Sequence, residues 1–299
     1  MDRFESMSVF VAVAEAHGFS AAARRLRIPL ATVSRKVSEL EELLKVRLIN
    51  RSTRQITLTE SGRVYFESAR RILETLGEAE RAASGEYRIP RGALTITAPI
   101  VFGRLHILPV VVEFLRVYPE VEIKLLLVDR LVELLEEDVD LAVRISELPD
   151  SSLIAARLGS IGFVVCASPA YLAARGCPGR PEELADHDCV TATTSPTARL
   201  WSFKIGKSVR EVPVRSRLST TTAEAAIDAA IAGAGLTQVR SYQVVEAIKA
   251  GRLERVLRDY EPDPAPLSFV YPSGRLTPRK LQAFLEFAVP RVKARLQAI

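Results

Sequence analysis

The apolar positions of the first 45 residues recur with helical spacing in three successive segments. Residues 7–20 carry apolar side chains on one helical face, and Gly18 is expected to end that helix. Ser20 stands where an N-cap residue belongs, directly before a short helix over residues 21–26. After a turn of three residues, a third helix is expected over Leu30–Leu44. Two short helices joined by a tight turn predict a helix-turn-helix.

A change of period after residue 45 predicts two short strands and then a long helix. Residues 47–49 and 55–58 alternate between apolar and polar, and with the turn over 50–54 they predict a hairpin, or wing. Thr59 is expected to cap a helix over 60–84. This helix carries an apolar stripe that needs a partner surface. A second copy of the helix, and hence a homodimer, is favoured over packing on the C-terminal body. The stripe consists of Phe66, Ala69, Leu73, Leu76, Ala79 and Ala83.

From residue 91 onward, nearly continuous apolar runs alternate with helical segments. Pro and Gly residues between positions 86 and 94 indicate a linker before this body. The alternation predicts a parallel, doubly wound α/β sheet. The expected strands are residues 93–100, 121–128 and 140–145, and the expected helices are one around 110–115 and a short acidic one over 131–137.

A second α/β run follows over residues 161–266, with a helix at 222–232 and a strand at 236–240. The last strand, 267–271, and a final helix over 277–296 are expected to return to the first lobe. The expected boundaries are therefore a DNA-binding domain over 1–59, a linker helix over 60–90 and a body over 91–299, with a first lobe of 91–160 and 267–299 and a second lobe of 161–266.

Composition limits the class of protein without identifying it. The 299 residues are 48% apolar and 26% charged, as in ordinary globular proteins, and the longest apolar runs are too short to cross a bilayer. The N-terminus lacks the pattern of a signal peptide. Three cysteines without metal-type spacing favour a reducing cytoplasm, with each thiol a small buried group or a bystander rather than a redox sensor.

The positive charge of the chain is concentrated in one segment. The net charge is +5, but residues 20–63 alone hold ten Lys or Arg against four Glu. The rest of the chain is therefore close to neutral. A local excess of this size indicates a polyanion-binding module attached to a neutral body, or else a solvated basic face.

The predicted helix over Leu30–Leu44 has small polar and basic side chains in its first turns and acidic ones in its last. This order opposes the helix dipole, so a negatively charged partner outside the helix is expected. The second helix of a helix-turn-helix enters the major groove of double-stranded DNA by its N-terminal turns, and a basic wing contacts phosphates or the minor groove. The DNA-binding candidates are Ser20, Leu30, Ala31, Thr32, Ser34, Arg35, Lys36, Arg51, Ser52 and Arg54.

Two stretches carry a resemblance to a known family. The segment "FSAAARRLRIPLATVSRKVSELEELLKVRLINRSTRQITLTESG" closely resembles the winged helix-turn-helix of LysR-type transcriptional regulators, and "SELPDSSLIAARL" is similar to a segment of one branch of that family. The resemblance implies an α/β fold with an N-terminal winged helix-turn-helix, a long linker helix and a two-lobed, periplasmic-binding-protein-like effector domain. It also implies homotetramers.

The recognition segment departs from the family pattern at four positions. The family usually has Gly where Arg27 stands and a capping Ser where Pro29 stands, and often Gln and Pro where Leu30 and Ala31 stand. Ser34 and Arg35 match. Without the Gln, direct readout is expected to rest on Arg35, Ser34 and Thr32, with Leu30 against a thymine methyl group.

An effector is expected at the carboxyl ends of the body's strands, in the cleft that the resemblance implies. The strand-to-helix junction at 99–103 would offer free amides to a carboxylate. Arg144 ends a buried strand and either pairs with the ligand or with Asp129 or Glu147. A small organic acid is the expected effector. The candidate residues are Pro99, Ile100, Val101, Phe102, Asp129, Arg144, Ser146, Thr194 and Ser195.

Two other classes of function compete with an effector-controlled regulator. Against an enzyme, the chain has no G-x-S-x-G elbow, Walker loop or H-E-x-x-H motif, and its three histidines are scattered. No cofactor and no metal are expected. Against an architectural DNA binder without an effector, a two-lobed body of about two hundred residues is more than DNA packaging needs.

Overall fold

The computed structural model describes residues 2–51, 56–84, 89–147, 153–192, 199–273 and 277–297. The chain divides into two compact units, Met1–Ile89 and Pro90–Ile299, and each unit has its own hydrophobic core. Among the helices described, none is both long and apolar enough to cross a membrane.

The first unit is a helix-turn-helix followed by a two-stranded antiparallel hairpin and a long helix, as the sequence predicts. Its core includes Phe10, Val37, Leu40 and Leu48, all fully buried. The elements are α1 (Arg3–Glu15), α2 (Phe19–Leu26), α3 (Leu30–Leu44), β1 (Ile49–Arg51), β2 (Ile56–Leu58) and α4 (Glu60–Ser84).

The start of α2 differs from the sequence prediction. Gly18, not Ser20, is the N-cap residue, because the backbone of Gly18 is extended and its carbonyl accepts the first helical hydrogen bond from Ala22 at 3.0 Å. Ser20 is the second residue of the helix and is exposed. Arg27, which ends α2, has the left-handed φ of 56° that favours glycine at such a position.

Thr59 caps α4, as predicted. Its hydroxyl accepts from the amide of Gly62 at 2.9 Å and donates to the carbonyl of Arg47 at 2.7 Å. Gly62 packs so closely on the wing that a Cβ atom there would lie 1.9 Å from the backbone oxygen of Leu48. The N-terminus of α4 is therefore fixed to the segment that leads into the wing.

The first half of the apolar stripe of α4 packs on its own domain, whereas the sequence favoured a second copy of the helix as its partner. Ala69 is fully buried in the core of the first unit, and Phe66 and Leu73 pack against that core. These residues cover their own domain because the helix-turn-helix is too small to bury its apolar face alone. Val64 and Ile72 are 64% and 45% exposed on another face of the helix.

The second unit consists of two α/β lobes. In chain order its helices and strands are β3 (Gly92–Ala98), α5 (Ile100–Phe102), α6 (Leu108–Val117), β4 (Val121–Leu127), β5 (Leu141–Ile145), β6 (Leu153–Ile161), β7 (Phe163–Ala167), α7 (Pro169–Arg175), β8 (Cys189–Ala192), β9 (Leu200–Ile205), β10 (Ser208–Pro213), β11 (Ser216–Thr220), α8 (Ala223–Ile231), β12 (Thr237–Arg240), α9 (Ser241–Lys249), β13 (Glu254–Val256), β14 (Ala265–Pro272) and α10 (Arg279–Gln297).

The first lobe is built on a five-stranded sheet of order β4-β3-β5-β14-β6. Strands β3, β4 and β5 are parallel, but β14 is antiparallel to both β5 and β6. The sequence prediction of an all-parallel sheet is therefore wrong. The sheet is mixed because β14 brings the chain back from the second lobe in the opposite direction, while β6 leads directly into that lobe.

The second lobe contains β7 to β13 and several small sheets. Strand β7 lies between β12 and β13 and is antiparallel to both, whereas β8 and β11 are parallel and β9 and β10 form a hairpin. The predicted helix at 222–232 and strand at 236–240 are confirmed by α8 and β12. The predicted return of the last strand to the first lobe is confirmed by β14.

The acidic segment 131–137 is a turn and not the predicted helix. The carboxylate of Glu137 forms a two-point ion pair with Arg130 and also accepts from the amide of Glu133 at 3.2 Å. Asp138 then takes a left-handed φ of 55°. One helical hydrogen bond forms, from the amide of Glu137 to the carbonyl of Glu133 at 2.9 Å, and the left-handed Asp138 ends the helical turn there.

A π-helical turn over Gly103–Ile107 joins α5 to α6. A Cβ atom on Gly103 would lie 2.2 Å from Cδ2 of Leu127, so only glycine allows this close approach to β4. His106 is buried within the turn, with its ring 4.8 Å from that of Phe102 and 5.7 Å from that of Tyr242.

Candidate functional site

The N-terminal turns of α3 present a mixed apolar and polar surface. Leu30 is 49% exposed and Ala31 is exposed, while Thr32 and Ser34 are half-buried. Pro29 begins the helix without a side-chain cap, and its carbonyl accepts from the amide of Thr32 at 2.9 Å. The first turn of α3 therefore presents the apolar side chain of Leu30 next to small residues.

Arg35 is exposed and is paired within its own helix. Its Nη1 atom donates to Oε1 of Glu39, one turn further on, at 2.7 Å. Exposed pairs of this spacing contribute about 0.3–0.5 kcal/mol, so exchanging Glu39 for a DNA group costs little. The guanidinium remains available to the bidentate contact that arginine makes with guanine.

Lys36 does not lie on the surface that the sequence assigned to DNA. Its side chain is buried against α1 and forms an ion pair with Glu5. Successive residues of a helix are about 100° apart, so Lys36 points into the domain while Arg35 points away from it. We therefore leave Lys36 out of the proposed DNA contacts.

The wing candidates are only partly described. Arg51 is the last residue of β1 and stands opposite Ile56 of β2. Its side chain, together with Ser52 and Arg54, lies outside the described residues.

A cavity of about 540 Å³ lies between the two lobes of the second unit. Four of the predicted effector residues line it: Pro99, Asp129, Arg144 and Ser146. Ile100, Val101 and Phe102 do not. Val101 and Phe102 are buried in the core of the first lobe, because the helical turn that follows Pro99 directs them inward. The other two candidates, Thr194 and Ser195, lie outside the described residues.

One of the amides that the sequence offered to a ligand carboxylate is already used. The N–H of Ile100 donates to Oδ1 of Asp129 at 3.0 Å, so the protein supplies its own anion at this strand-to-helix junction. Asp129 consequently acts as a capping residue here, and an effector carboxylate has to find other donors.

Arg144 offers such donors. Its Nη2 atom donates to the backbone oxygen of Val132 at 2.9 Å. Of the contacts made by described residues, none joins Arg144 to Asp129 or to Glu147, the two carboxylates that the sequence offered as alternatives. A guanidinium that faces the cavity and is held by a backbone dipole retains N–H groups for an anion.

On the second-lobe side of the cavity the sequence pointed only to Thr194 and Ser195. It missed four residues of the described wall: Arg240, Phe163, Trp201 and Gln238. Arg240 is the last residue of β12, and Arg144 is the last but one of β5. The signal that identified Arg144, an arginine at the carboxyl end of a buried strand, was therefore also present in "LTQVR".

A winged helix-turn-helix followed by a two-lobed α/β unit with a cavity between its lobes defines a ligand-responsive DNA-binding regulator. Residues 4–63 match the family model described as bacterial regulatory helix-turn-helix protein, lysR family, and residues 88–293 match the LysR substrate binding domain. The chain belongs to the LysR family of transcription regulators, whose members bind DNA and small-molecule effectors and form oligomers.

Similar proteins cover nearly the whole chain. An HTH-type transcriptional regulator of Xanthomonas campestris is 37% identical over 95% of this chain and 84% of its own length. The solved structure of CrgA, a LysR-type regulator of Neisseria meningitidis, is 33% identical with a TM-score of 0.61, over 96% of this chain and 98% of that one. The virulence activator AphB of Vibrio cholerae is 26% identical with a TM-score of 0.61, over 96% and 98%.

Proposed function

We propose that this regulator responds to a small organic acid, and that Arg144 binds a carboxylate of that acid between the lobes. The observation that carries the proposal is the guanidinium of Arg144, which lines the cavity and is hydrogen-bonded to a backbone oxygen instead of a carboxylate. A cation without an anionic partner in a partly enclosed site favours an anionic ligand.

On the DNA side, we propose that Leu30, Ala31, Thr32, Ser34 and Arg35 contact base edges in the major groove. Their exposed or half-buried positions at the start of α3 support this assignment. Contacts with the DNA backbone are proposed for Ser20, Arg51, Ser52 and Arg54. The corresponding domain boundaries are 1–59 for DNA binding, 60–90 for the linker helix and 91–299 for the effector domain.

We propose that α4 forms the contact of a homodimer and that dimers associate into tetramers. The exposed apolar side chains of Val64 and Ile72 support a partner on that face of the helix. Each dimer would then present two winged domains to the two halves of a palindromic operator. Because the partner is promoter DNA, we infer a cytoplasmic protein that is not an enzyme.

The proposal is tested by footprinting the protein on its own upstream DNA, with and without a panel of small carboxylic acids. The expected result is a protected, dyad-symmetric site whose length changes with one acid, through a change in how the two halves of the dimer are spaced. The Arg144→Gln variant is expected to protect the same site and to need at least about tenfold more acid for the change.

Two results contradict different parts of the proposal. Protection that no acid alters supports the second candidate, an architectural or effector-independent DNA binder. Absence of protection at any sequence contradicts the DNA-binding assignment itself.

A further inference from the structure

Arg240 is the second arginine in the wall of the interlobe cavity. Its Nη2 atom donates to the backbone oxygen of Ile145 at 3.1 Å, and its Nη1 atom donates to that of Ile161 at 3.4 Å. Its guanidinium carbon lies 3.8 Å from the ring centroid of Phe163. Two carbonyl groups and one aromatic face thus fix both the position and the plane of the guanidinium.

The charge of Arg240 has no carboxylate partner within the part of the chain that the structure describes. Burial lowers the pKa of Arg240 to about 10, so the group remains a cation at neutral pH. A guanidinium has five N–H groups, of which the two carbonyls use two. Arg240 therefore keeps donors for a ligand, in an environment where an unpaired charge is costly.

The charges of the described cavity wall can be counted. Its ionisable side chains of fixed charge are Asp129, Arg130, Arg144 and Arg240. Arg130 is neutralised by its two-point ion pair with Glu137, outside the wall. Asp129 offsets one of the two remaining arginines, which leaves an excess of one positive charge.

We propose that Arg240 binds the anionic group of the effector directly, and that the effector is a monocarboxylate with an apolar body. This rests on the proposed function, because it assumes an acid in the same cavity. The fixed plane of the guanidinium suits a two-point contact with a carboxylate, and fixing it in advance reduces the entropy lost on binding. The apolar body lies against wall residues such as Val128, Val132 and Trp201.

The test uses two matched sets of ligands at constant ionic strength: benzoate, benzamide and terephthalate, and hexanoate, hexanamide and adipate. Dissociation constants are obtained from thermal stabilisation of the full-length protein, followed by the fluorescence of its one tryptophan, Trp201, which lies in the cavity wall. In each set we expect the monocarboxylate to bind most tightly, and the neutral amide and the dicarboxylate each to bind at least about tenfold more weakly.

The decisive variant is Arg240→Gln, and Arg240→Lys keeps the charge while losing the planar fork. If Arg240 binds the anion beside Arg144, Arg240→Gln lowers the preference for carboxylate over amide at least about tenfold, and Arg240→Lys lowers it less. A merely structural role would weaken both ligands equally and leave their ratio unchanged. The matched control is the double variant Lys249→Gln with Glu246→Gln, which removes an exposed cation of the second lobe, outside the described cavity wall, together with its partner and is expected to keep the wild-type ratio.

Failure of this inference is separable from failure of the proposed function. A dicarboxylate that binds more tightly than both monocarboxylates, or a preserved carboxylate preference in Arg240→Gln, overturns the inference while an acid-responsive regulator stands. If no acid stabilises the wild-type protein or alters its footprint, both are overturned.

Discussion

Lys36 of α3 and Glu5 of α1 form an ion pair that joins the middle of the proposed recognition helix to the start of the chain. The Lys36 side chain is only 11% exposed, whereas Glu5 is half exposed. The lysine is thereby directed away from the exposed surface of α3, and the positive charge that we propose for DNA contact on this helix is that of Arg35.

Replacing Lys36 by Met is expected to leave DNA binding unchanged, because its ammonium group is held by Glu5 and is largely buried. Each phosphate contact adds about 0.9 to the slope of log affinity against log salt, so that slope should be the same in Lys36→Met and wild type. The converse change, Glu5→Gln, leaves a buried cation unpaired and is expected to cost about 1–2 kcal/mol of stability in urea unfolding. A shallower salt slope for Lys36→Met would return the lysine to the DNA interface.

Replacing Arg35 by Ala is expected to cost about 1–3 kcal/mol of discrimination between the operator and unrelated DNA, because a bidentate base contact is lost. Fluorescence anisotropy on the footprinted site and on a scrambled duplex measures the difference. Arg70→Ala is the matched control, since Arg70 is also exposed and paired within its helix, with Glu67 at 3.1 Å. Equal losses on both duplexes would make Arg35 a phosphate contact only.

The sequence pattern located elements well where a single local signal dominated. The turn at Arg27–Pro29 and the sustained helical period after it predicted a helix from about Leu30 to Leu44, and the structure has a helix over that span. The pattern failed at 131–137, where helix-forming residues are held in a turn by Glu137. It also missed β6, since β6 is an edge strand with little continuous burial.

The candidate sites show the same division between local and tertiary information. Arg144 was recognisable because it ends a buried strand, but the loss of the Ile100 amide to Asp129 depends on two segments 29 residues apart. Similarly, three adjacent polar residues, Ser34 to Lys36, looked equivalent in sequence. Only the packing of α1 on α3 decides which of them faces inward.

Replacing Gly62 by Ala is expected to destabilise the first unit by at least about 2 kcal/mol, because the added methyl group would overlap the carbonyl of Leu48. The clash is with backbone, so no side-chain rotation relieves it. Hydrogen exchange of the α4 amides measures the effect. The control is Gly18→Ser, where a Cβ atom meets nothing closer than 3.8 Å and serine is a good N-cap. Equal exchange in the two variants would contradict the close packing.

His106 is expected to make the second unit less stable in acid. Burial, and after it the nearby charge of Arg295, lowers the pKa of His106 to about 4, and neither ring nitrogen has a hydrogen-bond partner among the described residues. Below pH 6.5 the unfolded state takes up a proton that the folded state refuses, so stability falls as the pH drops from 6.5 to about 4.

Replacing His106 by Leu is expected to remove this pH dependence and to cost little at pH 7, because no hydrogen bond is lost. Urea unfolding followed by Trp201 fluorescence, at several pH values, measures both effects. The exposed His17 supplies the control: His17→Asn is expected to keep the wild-type profile. A His106→Leu profile parallel to wild type would show that another group causes the acid sensitivity.

The position of β14 affects the order in which the protein can fold during synthesis as well as the final topology of the sheet. Although β14 is the last strand of the chain, it lies inside the first-lobe sheet, between β5 and β6. During synthesis the ribosome must complete the entire second lobe before residues 265–272 emerge to join the two halves of that sheet. Until then β5 presents an unpaired edge, which is the type of surface that chaperones protect. A premature stop just before residue 265 would therefore leave the strands of the second lobe in place, but the first lobe without the strand that joins β5 to β6 and without α10.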